Sequence, residues 1–467
     1  MIGYAFRALT GKSPMQKKLK QHFGKLPVED IATTARNFPL TSRVDVQLAI
    51  DQFFASHGTS TLLGIHSAMS HETPTLAHLF TRGPFQVDIG PLQHDDIDVG
   101  EPSPVRCLKN GLWLAHRSDR PFAVLLSQAT RFGMAVGGVH VELAVPKGEQ
   151  GLQFSEDFFR QLELRVNSGG TYRGRVISLE SQQEYSGRGG TVKVHRLRSV
   201  QREDVILPEK TLALLDRNVG NFIKARSHIK SLGLSAKKGL LFYGPPGTGK
   251  TLTIHYLASH LPQHTTLLIT AEQVGLLDEY FRLARFLQPS LVVVEDVDLI
   301  ARAREEMGSV CEEVLLNKLL NEMDGLREDA DVLFILTTNR PDQLEPALAS
   351  RPGRIDQAIE FPLPDEQGRS KLIKLYARGV QLSEPLTELI VRRTKGASPA
   401  FIKELMRRAA QFQFEIGEKG ELKQSAVDNA IEEMVFSGGA LNLKLLGGSS
   451  TDLGSASDAH FLPSRPQ

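Results

Sequence analysis

The chain has 467 residues, which at roughly 150 per domain allows two to four globular units. Lys and Arg number 55 against 54 Asp and Glu, a net charge of +1, which argues against a general nucleic-acid sleeve or a strongly basic membrane binder. With 41 % hydrophobic and 23 % charged residues, the composition is that of an ordinary folded protein, not a disordered one.

Cys107 and Cys311 are the two cysteines, and neither belongs to a CxxC pair. A disulfide framework and a zinc ribbon are therefore excluded. No run approaches the ~18 apolar residues of a membrane helix. The start carries Arg7, Lys12, Lys17, Lys18 and Lys20 with no acid before Glu29 and no apolar core of signal-peptide length. A solvated helix is preferred to an organelle transit segment there, and a cytoplasmic location is expected.

In chain order, residues 15–79 carry helix-like spacing at Ile31, Ala35 and Phe38, then at Val46, Ile50, Phe53 and Phe54, with breaks at Pro27, Pro39 and Gly58. The acidic, turn-rich stretch 84–104 is predicted as a loop. Strands are predicted over 111–115, 122–126, 139–143, 175–179 and 191–194, with a glycine-rich turn at 186–190. Residues 1–200 are expected to form an α+β region that recognises a partner. Trp113, in an alternating strand, is expected in the core.

The rhythm then changes. Continuous apolar runs at 239–243, 266–269, 291–294 and 332–336 alternate with helical stretches, the pattern of a parallel sheet buried on both faces. With the GxxxxGK[ST] string at 244–251, the fold class expected is α/β: a P-loop NTPase parallel sheet flanked by helices over 201–364, plus a small all-helical lid over 365–436. The Gly- and Ser-rich tail 437–467 is predicted to be disordered.

Directly after the first of these strands comes Gly244-Pro245-Pro246-Gly247-Thr248-Gly249-Lys250-Thr251, then Leu252. This fits GxxxxGK[ST], where glycines let successive backbone N–H groups turn inward around phosphate oxygens. Lys250 would reach the β- and γ-phosphates of ATP, and the Thr251 hydroxyl would bind Mg²⁺. The helix beginning here points its positive end at the anion. After the run Leu291–Val294 stand Glu295, Asp296 and Asp298, acids at the carboxyl end of a buried strand, where open α/β sheets bind ligands. Glu295 would hold the Mg²⁺ shell and Asp296 would orient the attacking water. His260 and His264 have HxxxH spacing, but Pro262 interrupts it, and no metal besides Mg²⁺ is expected.

Residues 205–435 resemble the AAA clade of the AAA+ ATPases. The resemblance rests on GPPGTGKT at 244–251, VVVEDVD at 292–298, LTTNRPDQLEPAL at 336–348 and RPGRIDQAIEFPLPDEQGR at 351–369. The last string looks most like proteasomal ATPases and membrane-bound AAA proteases. The resemblance implies that Asn339 is the first sensor and that Arg351 and Arg354 are arginine fingers reaching a neighbouring subunit's nucleotide. A homo-oligomeric ring, taken as a hexamer, follows from the fingers. It further implies that 204–207 lie beside the adenine and that 394–398 form the lid segment replacing the second sensor arginine.

Two departures qualify it. The usual Asp-Glu order is reversed here, a swap that resembles the mitochondrial Rieske-protein translocase. The presumed base Asp296 is then one methylene shorter, a reason to expect slow hydrolysis, since a misplacement of ~1 Å costs up to about 10²-fold in rate. Residues 269–277 are short for a polypeptide-gripping pore loop, and Gln273 stands where an aromatic would. Helix lead-in is the preferred reading, with Val274-Gly275 as a loop remnant the alternative. The function expected is an ATP-hydrolysing ring that remodels a protein partner. The rivals are a slow ATP-gated scaffold and a nucleic-acid-directed machine, the latter disfavoured by the neutral charge.

Overall fold

The computed structural model describes residues 13–67, 73–81, 87–131, 134–181, 190–298, 319, 321–322, 325, 330–342, 355–415, 417 and 420–434. The chain divides into two compact units, 1–196 with 275–287, and 197–274 with 288–467. The proposed fingers Arg351 and Arg354, the tail 437–467 and most of the turn 186–190 lie outside the described residues.

In the first unit, α1 (Pro14–Phe23) starts on a capping box in which Ser13 and Gln16 bond each other's backbone N–H. It is followed by β1 (Ile31–Pro39), α2 (Arg43–Ser56), β2 (Ser60–Ser67), α3 (Leu76–Phe80), β3 (Val87–Gly90), β4 (His94–Ile97), β5 (Val105–Leu108), β6 (Gly111–Arg117), β7 (Arg120–Arg131), β8 (Met134–Pro146) and α4 (Glu149–Ser168). The hairpin β9 (Val176–Ser181) with β10 (Gly190–His195) ends the run. Six strands form an antiparallel sheet in the order β1-β8-β7-β6-β2-β3.

Strand alternation distributes the core over both faces of this sheet. Trp113, Phe122, Val124 and Leu126 pack with Ile50, Phe53 and Phe54 of α2 and Phe158 and Leu162 of α4. Leu112, Leu114, Ala123 and Leu125 pack with Met15, Leu19 and Phe23 of α1 and Leu76 and Leu79 of α3. Because both faces are covered, β6 and β7 read as unbroken apolar runs although they are antiparallel. Trp113 is a core residue, as expected, stacked on Phe54 with ring centroids 5.4 Å apart.

Two expectations are corrected. The helical reading of 15–79 fails in two places: 60–67 is strand β2, paired with β6, and 31–39, with Ile31, Ala35 and Phe38, is strand β1, paired with β8 from Ile31↔Pro146 to Pro39↔Gly138. Three apolar positions cannot separate the two periods, and pairing with a long neighbour decides. The stretch 84–104 holds β3 and β4, not only a loop. Cross-strand ion pairing supports the acidic β4–β5 ribbon, with Asp96 on Arg106 at 3.0 Å, while Asp95 meets Arg43 at 2.9 Å and Lys109 at 3.1 Å. The helix Leu277–Phe286 also belongs to this unit; buried Tyr280 accepts from the Leu179 N–H at 2.6 Å. It follows a 3-10 turn over Ala271–Leu276, so 271–286 is helical lead-in and helix.

The second unit opens with α5 (Glu209–Leu215) and α6 (Phe222–Ser231), then β11 (Lys238–Tyr243), α7 (Lys250–His260), β12 (Thr265–Ile269), β13 (Ser290–Val294), β14 (Val332–Thr338) and β15 (Gln357–Glu360). These five strands are parallel and lie in the order β12-β13-β14-β11-β15. Every residue of β12, β13 and β14 is buried. This is the P-loop NTPase sheet the sequence predicts. The pairings Ile269↔Val294, Val294↔Leu336 and Tyr243↔Thr338 align the carboxyl ends of the strands, so Gly244, Glu295 and Asn339 emerge on one edge. A helical lid follows: α8 (Glu366–Tyr376), α9 (Glu384–Arg393), α10 (Pro399–Glu415) and α11 (Gln424–Glu432), packed around Ile373, Ile390, Phe401, Leu405 and Val427. No helix among the described residues is long and apolar enough to cross a membrane.

Candidate active site

The loop between β11 and α7 is shaped by close approaches that side chains would block. Gly244 has φ +147°, and a Cβ there would sit 2.2 Å from the Phe361 carbonyl oxygen. Gly247 has φ +76°, and a Cβ there would meet the Ala400 Cβ at 2.8 Å. The Gly247 carbonyl accepts the Ala400 N–H at 3.2 Å, so the first turn of α10 rests on the loop. Lys250, buried at the start of α7, donates from Nζ to the carbonyls of Gly244 at 2.8 Å and Pro245 at 3.0 Å. Burial lowers its pKa to about 8, against the opposing pull of Asp296 and Asp298.

The three acids diverge because β13 has ended. Glu295 still joins the ladder, donating its N–H to Ile269 O at 3.0 Å, and its Oε1 accepts from Thr251 Oγ1 at 2.8 Å. Asp296 turns to φ +47°, a region a non-glycine residue seldom occupies. Its N–H donates to Thr337 Oγ1 at 2.9 Å, and its Oδ1 accepts the Asn339 side-chain amide at 3.0 Å. Asp298 is buried, with Oδ1 accepting from Thr338 Oγ1 at 2.8 Å and from the Asn339 N–H at 3.2 Å. Burial and then the charge of Asp298 raise the pKa of Asp296; Lys250 and Asn339 oppose this.

The phosphate loop, Asp296 and Asn339 open onto a cavity of about 420 Å³, whose lining does not include Glu295 or Asp298; its size is within the ~300–1,000 Å³ of small-molecule sites. Residues 246–252, Asp296 and Asn339 line it, as do 204–207. Gly244 and Pro245 stand behind it, their carbonyls bonded by Lys250. The lid contributes Leu372, Tyr376 and Lys403, which the sequence reading missed. In the sequence they are ordinary helix positions with no local signal. Thr337 and Thr338 were visible as hydroxyls beside Asn339, without an assigned task.

A nucleotide fits this site. The side-chain-free loop, a buried lysine and the start of an 11-residue helix suit phosphates, and the apolar faces of Ile206, Leu372 and Tyr376 suit a base. Thr251 Oγ1 and the Glu295 carboxylate form a hard-oxygen pair that suits Mg²⁺.

Residues 240–363 match the family model described as "ATPase family associated with various cellular activities (AAA)". The chain carries an AAA ATPase domain. This AAA domain is similar to a proteasome-activating nucleotidase of Methanothermobacter thermautotrophicus, 34 % identical over 226 residues, covering 46 % of this chain and 54 % of the relative. It is 35 % identical over 193 residues to the 26S proteasome regulatory subunit S10B homolog B of Arabidopsis thaliana, covering 39 % and 48 %. To a cell division cycle protein 48 homolog of Archaeoglobus fulgidus it is 34 % identical over 220 residues, covering 45 % and 30 %. The chain thus spans about half the length or less of these curated relatives.

Proposed function

We propose that the chain binds Mg·ATP, hydrolyses it to ADP and phosphate, and uses the cycle, as a homo-oligomeric ring, to remodel a protein partner recognised by residues 1–200. The observation that carries the reading is the convergence of Lys250, Thr251, Glu295, Asp296 and Asn339 at the carboxyl ends of three neighbouring strands. Lys250 would neutralise phosphate charge once its bonds to the loop carbonyls are exchanged. Thr251 and Glu295 would hold Mg²⁺, which neutralises charge on the phosphate oxygens. Asp296 would accept a hydrogen bond from the attacking water, with Asn339 fixing its carboxylate, so that water adds to the γ-phosphorus and the bond to the β-phosphate oxygen breaks. Arg351 and Arg354 would act from a neighbouring subunit. The similarity to proteasomal ATPases supports the protein substrate and the ring.

The scaffold reading has one observation in its favour: Asp296 is already engaged by Asn339 and Thr337, and it is a short side chain. Steady-state phosphate release with Mg·ATP decides. Specific activity that rises with protein concentration and disappears in Asp296→Asn supports the ring ATPase. Tight nucleotide binding without turnover replaces it with the ATP-gated scaffold.

A further inference from the structure

In the first unit, the β6–β7 hairpin turns on Ser118-Asp119, both at positive φ, 48° and 64°. The turn sets Arg117 directly opposite Arg120, like charges where cross-strand pairs favour opposite ones. Among the described residues neither guanidinium has a hydrogen bond or ion pair. Arg117 lies over the Phe154 ring, 4.8 Å from its centroid. A cation held over a ring in this way keeps N–H donors for an anion. Phe154 in turn packs edge-on against Phe122, with centroids 5.0 Å apart.

The two arginines rim a cavity of about 220 Å³ whose walls include Phe122, Val145, Pro146 and Phe154. The first turns of α4 close it, and Gly151 allows that closure: a Cβ there would come 2.1 Å from the Pro146 carbonyl oxygen. The lining acid, Asp157, is engaged by Arg160 on its own helix. Asp119, in the turn itself, does not line the cavity. Among its lining residues the pocket therefore keeps a surplus of positive charge at its rim, beside a wall in which Phe122, Val145, Pro146 and Phe154 stand with the amides of Gln150 and Gln153.

A cavity below the ~300 Å³ of the smallest drug-sized sites holds about one amino-acid residue. Its chemistry asks that residue for an apolar group and an anion together. An internal Leu or Phe brings no charge, and an Asp or Glu spends its side chain on the charge and leaves the aromatic wall uncovered. The C-terminal residue of a polypeptide offers both. We propose that this cavity binds the C-terminal residue of a protein partner, with its apolar side chain against Phe122 and Phe154 and its carboxylate between Arg117 and Arg120. Gln150 and Gln153, also lining the cavity, supply amides for the preceding peptide group. The proposal rests on the remodelling reading for the expectation that the partner is a protein.

The test uses the full chain and fluorescein-labelled hexapeptides of Ser and Gly ending in Leu, as free acid and as C-terminal amide, with a free acid ending in Ser as a third probe. Fluorescence anisotropy should show the Leu free acid binding at least ten-fold more tightly than either other peptide, with an advantage that shrinks as salt rises. R117Q/R120Q should bring the free acid down to the level of the amide, with an unfolding midpoint equal to that of the unsubstituted chain; R120Q alone should give part of the loss. Equal binding of acid and amide, an unaltered double variant, or no binding up to millimolar protein overturns the proposal. Carboxylate selectivity without phosphate release keeps the pocket and removes the remodelling cycle. Phosphate release without selectivity does the reverse.

Discussion

The side-chain amide of Asn339 donates to Oδ1 of Asp296 at 3.0 Å, while its backbone N–H donates to Oδ1 of Asp298 at 3.2 Å. One residue at the end of β14 is thus held by two acids beyond β13. Replacing Asn339 by Ala leaves the Asp296 carboxylate without its lateral donor, free to rotate away from the water it would orient. A displacement of ~1 Å at such a group costs up to about 10²-fold. Asn339→Ala is therefore expected to lower kcat by about that factor while changing nucleotide affinity little. Single-turnover phosphate release beside a fluorescent-ADP titration checks both halves, and an unchanged kcat would rule out a positioning role.

The same acids set the pH dependence. In the proposed role Asp296 would act as the ionised carboxylate, and its pKa is raised by burial and by the charge of Asp298. The acid limb of kcat/KM should accordingly lie above the ~3.9 of an ordinary aspartate. Asp298→Asn removes the like charge, so the limb should move to lower pH; a limb that stays or rises contradicts the assignment. Lys250, with a pKa of about 8, is charged below that value and loses its charge above it. ADP affinity without Mg²⁺ should weaken as pH passes upward through about 8.

The phosphate loop and the acids after β13 could be read from the sequence because their chemistry is local. A backbone that turns around phosphate needs Gly247 and Gly249, and carboxylates after an apolar run mark a strand end. The parallel strands were equally plain, since burial on both faces leaves them continuously apolar. What escaped notice depends on distant partners. Ile31, Ala35 and Phe38 have a spacing that either period accommodates, and only pairing with β8 makes them a strand. Lys403 reaches the cavity on α10, whose first turn docks on Gly247, a contact across more than 150 residues that leaves no mark at either end. Asp95 and Asp96 read as loop because the cations that make β4–β5 a ribbon, Arg43, Arg106 and Lys109, are scattered along the chain.

That docking contact predicts a coupled pair. Gly247→Ala would place a Cβ 2.8 Å from the Ala400 Cβ and 3.1 Å from Ser398 Oγ, at a φ of +76°. The start of α10 must then retreat from the phosphate loop, carrying Lys403 with it. Nucleotide affinity is expected to fall at least ten-fold. Adding Ala400→Gly removes the nearest clash but not the backbone strain, so part of the affinity should return. Fluorescent-ADP titration of the two single variants and the double one measures the coupling. Strictly additive effects would show that the two residues do not meet.

At the opposite, amino-terminal ends of the strands, Arg226 of α6 is buried, and its Nη1 is paired with Asp331 just before β14. Its Nε and Nη2 have no partner among the described residues, and neither ring nitrogen of buried His264 has one. Removing one member of such a pair leaves an uncompensated buried charge, which costs about 3–5 kcal/mol. Asp331→Ala should destabilise this unit by about that amount, although Lys230, 3.9 Å from Asp331, would also be released. His264 adds a pH term: burial, and then the charge of Arg226, hold its pKa below the usual value. The unfolded chain therefore binds the proton more readily. Stability present above ~6.5 should be lost as pH falls toward the folded-state value. Urea unfolding between pH 8 and pH 5 should show this decline, and His264→Leu should reduce it. A variant with the same pH dependence as the unsubstituted chain would remove His264 as its source.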